Sequence, residues 1–454
     1  MDHKGKHAIV IGGSMGGLLA ARVLADHFET VTLIDRDLFP DSPEHRRGVP
    51  QSRHTHGLLA SGRRALERFF PGFSQEMLDA GALSGDMIAS SKWFFEGGLF
   101  AKFPSELTGF LLSRPLIEYL VRKRVRSIPN VKFMEGTIVT GLLPSAIQGN
   151  ARVAGVRLED RELKADLVVD ASGRASDSLD WLESLGYEKP PIERVEIGLG
   201  YTTRLFRRRS QESDGDIAVV IPANRAATKG GVMLAQEGDR WTVTLFSYFK
   251  DYAPSDIEGF REYARHLPYR EIYNVIRDAE PIGEPYTARF PASVRKHYEH
   301  LDRFPQGFLA FGDSISSFNP TFGQGMSTAA LEAVELDEAL RAGLSGLAPR
   351  FFKKAAKVID IPWTVSVGAD LNLPCTRGPR NAGVRFINWY VSKLHKAAHR
   401  EEAAALAFQM VANMLAPPPS ILHPKVVWKV FKGNVFARRE RPAALRTSKD
   451  PQEV

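Results

Sequence analysis

The chain has 454 residues, 43% of them apolar and 25% charged, with a formal net charge of +7. That composition marks an ordinary globular protein with enough material for a full core and two or three domains. A single cysteine, Cys375, excludes an intramolecular disulfide and a cysteine metal cluster, and no apolar run reaches the length of a membrane span.

The first structured unit begins almost at once and leaves no room for an apolar leader, so the expectation is a soluble, unsecreted protein in a reducing cytoplasm. The charge is uneven. From Gly346 onward there are 18 Lys+Arg against 7 Asp+Glu, which leaves 42 against 46 before it. Such an excess marks an anionic partner, a membrane surface or a solvated face.

Ala8–Asp35 reads as strand, turn, helix and strand. Ile9, Val10 and Ile11 are a β-branched run suited to a strand covered on both faces. Gly12, Gly13, Gly16 and Gly17 let the backbone turn sharply and bring helix N–H groups toward a pyrophosphate. Leu18, Leu19, Arg22 and Val23 open the helix, and Val31–Ile34 form the second strand. Asp35 then stands where the dinucleotide fingerprint places a carboxylate for ribose hydroxyls. The middle glycine of that fingerprint is Ser14, small enough for close approach and with a hydroxyl able to reach a phosphate oxygen. A plain βαβ turn without a ligand is the alternative.

Glu44–Gly57 is dense in basic and aromatic donors and broken by Gly48 and Pro50. Its arginines could clamp a diphosphate, or the stretch could be a surface loop. His54 and His56 have metal-like spacing but no third ligand, so no metal is expected. Leu58–Phe70 reads as a helix. Trp93, Phe94, Phe95, Phe100, Phe103 and Phe110 crowd a stretch of little helical period, either lining an apolar cavity or forming ordinary core. Ser113 caps a helix with Pro115 in its first turn, which puts Arg114 at a helix N-terminus. Val131–Phe133 and Thr137–Val139 read as strands.

In Lys164–Ser176 a hydrophobic strand ends in Asp170 and passes into a small-residue turn, as a strand end near a cofactor requires. From Gly198 to Tyr248 four alternating strands follow one another, an antiparallel sheet and candidate substrate domain. Ser255–His266 and Tyr269–Arg277 are helical. The strand Gly307–Phe311 leads into Gly312–Ser327 and a helix over Thr328–Leu340. This second acid, glycine loop and helix start suits a ribityl chain and a flavin carbonyl that gains negative charge on reduction.

Three motifs in order, Gly12–Gly17 with Asp35, Asp170-Ala-Ser-Gly-Arg and Gly312-Asp313, resemble the class A flavoprotein monooxygenases with the p-hydroxybenzoate hydroxylase fold. Within that family, the stretch from Arg46, the loop from Phe318 to Met326 and Pro374–Arg377 look most like squalene-epoxidase-like enzymes of polyether pathways. The resemblance extends to about Arg380. It implies an α/β protein: a Rossmann-like FAD-binding domain, an antiparallel-sheet substrate domain and a helical C-terminal region. The boundaries expected are 1–180 with a substrate-side insertion near 76–112, 181–285, 286–345 for the second part of the FAD domain, and 346–454.

The resemblance also assigns residues. Gly12, Ser14 and Gly17 would surround the FAD diphosphate, with Asp35 on the adenosine ribose and Arg36 beside it. Arg46, Gly48 and Arg114 would lie on the diphosphate side, Val139 would meet the adenine through its backbone, and Asp313 would bind the ribityl chain. Gly325 and Met326 would face the flavin pyrimidine edge. The Asp170 segment departs from the hydroxylase form, which leaves NAD(P)H and an external flavin reductase as alternative electron sources.

The activity implied is transfer of one atom of O2 through a flavin C4a-hydroperoxide to an apolar small molecule, giving an epoxide of a polyketide or terpenoid alkene. Aromatic hydroxylation, prenyl double-bond reduction and a carrier without turnover compete with it. A halogenase is disfavoured because no W-x-W-x-I-P segment is present. Pro424–Phe436, with Lys425, Lys429 and Lys432 on one face, reads as a helix packed on its own domain, an interfacial helix peripheral to a membrane, or a dock for an acidic carrier protein. Nucleic acid is not an expected partner.

Overall fold

The computed structural model describes residues 3–147, 150–209 and 212–437. The run Ile9–Ile11 forms the middle of a strand, Gly5–Ile11, at the centre of a five-stranded parallel sheet. Across the sheet the order is Phe308–Ala310, Leu167–Asp170, Gly5–Ile11, Phe28–Ile34 and Val131–Met134. Helices and a three-stranded antiparallel sheet of Val139–Ile147, Asn150–Leu158 and Glu162–Lys164, whose Val153 and Val156 join the same core, cover these strands, which explains why they read as continuous apolar runs: Ile9, Val10, Val168, Val169 and Leu309 are fully buried. Ile11 pairs with Asp170 and Asp170 with Ala310, so the turns at Gly12, Ala171 and Phe311 leave the sheet at one edge. Ligands bind at that carboxyl edge in sheets of this kind.

The helices Met15–Ala25 and Gly325–Arg341 pack on this sheet, and Leu18, Leu19, Ala330 and Leu336 lie in one buried cluster. The second helix starts three residues earlier than the expected Thr328. Thr137 and Ile138 fall outside the strand expected for them, which begins at Val139. Instead Gly136 and Thr137 donate back to the carbonyls of Asp37 and Asp35 and hold a turn at the sheet edge.

The expected antiparallel strands lie in an eight-stranded sheet. Ile192–Arg207 pairs on one side with Arg240–Tyr248 and on the other with Pro281–Lys296. The last of these runs unbroken through the boundary expected at 285/286. One pair departs from the pattern: Ala218–Ile221 runs parallel to Ser91–Phe95, which comes from the 76–112 segment.

Alternation sorts the sheet into two faces. Phe206, Trp241, Val243 and Leu245 pack under the helices Ile257–Arg265 and Glu271–Ile276. Tyr201, Phe246 and Tyr248, from the opposite face, pack with Phe318, Trp363 and Val367. The C-terminal helices Ala382–Ala398, Glu402–Ala412 and Pro424–Ala437 have a cluster of their own around Tyr390, Leu394 and Val430. The end of the expected C-terminal region, 438–454, lies outside the described residues.

Candidate cofactor and active site

The turn after the first strand needs glycine for steric reasons. Gly12 has φ +96°, and a Cβ there would lie 2.6 Å from the Ala171 carbonyl oxygen. A Cβ on Gly17 would stand 1.7 Å from the Gly12 carbonyl oxygen. Gly17 is buried and keeps helix and turn in contact. Gly12, Ser14 and Gly16 are only partly covered and form the open side of the turn.

Asp35 closes back on the turn. Its Oδ2 accepts from the Gly13 N–H at 2.6 Å and its Oδ1 from the Asp37 N–H at 2.8 Å. Arg36 beside it is exposed, and half-buried Val139 opens its strand near Asp35 through the Thr137 N–H bond to the Asp35 carbonyl. Gly48 N–H donates to Asp37 Oδ2 at 2.7 Å, and this ties the Glu44–Gly57 loop to the end of the second strand.

The two arginines converge on a residue the sequence did not single out. Glu118, one turn into the Arg114–Arg126 helix, accepts from Arg46 at 2.7 Å and pairs with Arg114 at 2.8 Å. Burial works to raise the Glu118 carboxyl, but Arg114 and Arg46 outweigh it and hold the group below its ordinary value, so it is ionised. Ser14 Oγ donates to Glu118 at 2.9 Å and accepts from Arg114 at 2.8 Å. The Ser14 hydroxyl is thus engaged with this cluster. The spacing of Arg114 and Glu118, one helical turn apart, was the available signal.

The second glycine segment meets the same edge. Positions where a Cβ would meet nothing within 4 Å include Gly312, Gly323 and Gly325. Asp313 is solvent-accessible there yet ringed by protein; this desolvation raises its carboxyl, opposed by the charges of Arg174 and Arg114. Met326 is half-buried in the first turn of the following helix. Beneath the turn, Glu332 accepts from the Gly312 N–H at 2.9 Å. Burial pushes its pKa up to about 8, so it is protonated at neutral pH.

These residues fit an FAD. The buried Arg114 Nη1 has no hydrogen-bond partner, an open donor where the diphosphate side was expected. The glycines leave the open surface that a dinucleotide backbone needs. Asp35 follows the strand Phe28–Ile34 and Asp313 the strand Phe308–Ala310, on either side of the Gly12 turn along the carboxyl edge of the sheet.

On the substrate side the aromatic stretch takes the second of its two readings, ordinary core. Trp93, Phe95, Phe100 and Phe103 pack with the C-terminal helices, where Phe95 lies 5.1 Å from Phe100 and 4.4 Å from His395. Phe94 stacks on Tyr269 at 4.4 Å, and Phe110 belongs to the FAD-side core. The apolar run therefore satisfies itself against helices that periodicity could not place beside it, and it does not line the cleft. Arg204, the strand arginine that a small charged acid would call for, lies on the far face of the sheet with Val243 and donates to the Ser255 carbonyl at 3.1 Å.

What faces the Glu44–Gly57 loop is more polar. His54 Nδ1 contacts Thr203 Oγ1 at 2.8 Å with its ring 4.4 Å from Tyr201, and Thr55 Oγ1 donates to Thr244 at 3.0 Å. Burial first, then the neighbouring His56, lowers His54 to about 3; burial first, then Arg114, lowers His56 to about 4. Both are neutral. A cavity of about 320 Å3 adjoins this contact, lined by His45, Arg53, Thr203, Glu237, Arg240 and Tyr286 among others. Sequence reasoning also missed a buried group at the other loop: Asn319 donates to Asp370 at 2.8 Å and to Tyr248 at 2.7 Å.

No protein-family model matches the chain. Protein Rv3254 of Mycobacterium tuberculosis is 36% identical over 407 residues, covering 84% of each chain. The chain belongs to the family of that protein. Kynurenine 3-monooxygenase of Salinispora arenicola is 26% identical over 370 residues, 75% of this chain and 74% of that one. Among solved structures, the flavin-dependent brominase Bmp2 covers 96% of this chain and all of its own at TM-score 0.67 and 13% identity. PqsL of Pseudomonas aeruginosa, described as a probable FAD-dependent monooxygenase, covers 80% of this chain and 97% of its own at TM-score 0.60 and 17% identity. The chain of this Rv3254 family thus has the fold of FAD-dependent monooxygenases, a fold that halogenating flavoproteins share.

Proposed function

We propose that the protein is an FAD-dependent monooxygenase that transfers one oxygen atom from O2 to an organic small molecule. The observation that carries this reading is the convergence of the Gly12 turn, the Arg46–Glu118–Arg114 cluster and the Gly312–Gly325 segment on one sheet edge. Bound flavin would supply the redox chemistry with oxygen. Arg114, with its open Nη1, would hold the diphosphate side, and the Gly325 helix start would place positive potential at the flavin pyrimidine edge. The sheet face bearing Tyr201, Thr203 and Thr244 would cover the ring system and keep water from it.

Epoxidation of a polyketide or terpenoid alkene is supported by the motif resemblance in the Arg46–Gly57 and Phe318–Met326 stretches. Aromatic hydroxylation is the second reading, favoured by the polar cavity beside His54 and by the likeness to kynurenine 3-monooxygenase. Turnover under labelled dioxygen tests the class: one labelled atom is expected in the product and the other in water. A product that gains two hydrogens and no label overturns the monooxygenase reading. Product structure by NMR, epoxide or phenol, separates the two substrate readings.

A further inference from the structure

The C-terminal helices Ala382–Ala398 and Pro424–Ala437 lie side by side. Asn434 donates to the Lys393 carbonyl at 2.9 Å, and Gly433 packs on Ala397 so closely that a Cβ would stand 2.9 Å away. Both bury their inner sides in one cluster, through Leu394 and Ala397 on the first and Val430 on the second. Their outer sides then face solvent, and they are not what a solvated helix presents. Phe386 and Trp389 are 53% and 58% exposed, and Trp428 and Phe431 are 62% and 58% exposed. Each helix pairs its two rings, with centroids 5.9 Å apart in both. Clustered aromatic exposure of this kind marks a contact surface rather than chance.

Charge decides the partner. The two helices carry Arg385, Lys393, Lys396, Lys425, Lys429 and Lys432 and not one Asp or Glu. A solvated surface ordinarily mixes both signs. The neighbouring carboxylates answer only part of this: Glu401 lies 3.3 Å from Lys429 and 3.6 Å from Lys432, and Glu96 lies 3.8 Å from Lys396. Tryptophan and phenylalanine set among lysines is the composition that settles into the boundary between lipid headgroups and acyl chains, the rings below and the ammonium groups at anionic phosphates. Among the described residues no helix is long and apolar enough to cross a membrane, so the contact is one that lies on the surface.

We propose that the helix pair 382–398 and 424–437 docks the protein on an anionic lipid surface, with Phe386, Trp389, Trp428 and Phe431 entering the interface. The inference does not depend on the chemistry at the flavin site.

Vesicle flotation with the purified full chain tests it. The protein is expected to float with phosphatidylglycerol-containing vesicles at low salt, to release as salt rises, and to leave pure phosphatidylcholine largely in the unbound fraction. Tryptophan emission should shift to the blue on binding. A Trp428→Ala/Phe431→Ala variant should bind about tenfold more weakly, with its circular dichroism and flavin content unchanged because both side chains are exposed. The proposal is overturned by no flotation with anionic vesicles, by flotation that the double variant leaves intact, or by a dimer in sedimentation equilibrium that the double variant dissolves. Preferential binding of an acidic carrier protein that vesicles fail to displace also overturns it.

Discussion

Glu118 shows how much of the site depends on one carboxylate with buried partners on two sides. Truncating it leaves Arg46 and Arg114 charged and without their main counter-ion in a desolvated place, which is far costlier than losing an exposed ion pair. Glu118→Ala is therefore expected to destabilise the protein by about 3–5 kcal/mol in urea unfolding, and Glu118→Gln by less because it retains hydrogen-bond acceptance. Gly17 is the steric counterpart. Gly17→Val places a side chain where the Gly12 carbonyl stands, so the turn must open and purified protein should show at least about a tenfold lower flavin-to-protein absorbance ratio. Full flavin content in Gly17→Val would mean that the turn does not hold the diphosphate.

Glu332 gives a pH prediction. Its folded pKa, about 8, lies above its unfolded value near 4.5, so the folded state holds the proton more tightly. The stability it contributes is complete below the unfolded value and is lost as pH rises to the folded one. Glu332→Gln keeps an acceptor for the Gly312 N–H and has no proton to lose. Its melting temperature should thus fall less than that of the native protein between pH 5 and 8, and identical pH profiles would refute the assignment.

At the level of elements, the aromatic segment couples two parts of the chain. Phe100 is buried between Phe95, 5.1 Å away, and Phe408, 5.6 Å away. Phe100→Ala should cost about 3–5 kcal/mol through the cavity it leaves. Hydrogen exchange should quicken in 382–437 while flavin content is retained, because the cluster shares no residue with the core around the parallel sheet. Loss of flavin in that variant would place the segment at the cleft after all. Elements with a local cause were legible in sequence: the strand at Ile9–Ile11 from its β-branched run, and the helix after Ser113 from its cap, whose Oγ accepts from the Leu116 N–H at 3.3 Å. The parallel pairing of Ala218–Ile221 with Ser91–Phe95 was not, since nothing in either run specifies a partner more than a hundred residues away.

For the molecule as a whole, a ligand that binds only the folded state stabilises it by mass action, by about 2.7 kcal/mol at a hundredfold excess over Kd. Added FAD should raise the melting temperature of flavin-stripped protein and leave that of Gly17→Val unmoved. The sequence by itself determined the strand–glycine–helix–acid unit, the second glycine segment, the capped helix at Arg114 and the basic bias of the last quarter. Each of these is written in local spacing, backbone freedom or charge, which need no distant partner to be read. Only the tertiary structure decided that Arg46 and Arg114 share Glu118, that Arg204 faces away from the cleft, that the aromatic run closes on the C-terminal helices, and that four aromatic rings stay outside. Those outcomes depend on which surfaces meet across long separations, where the burial of one side chain is settled by what packs against it rather than by its own neighbours in the chain.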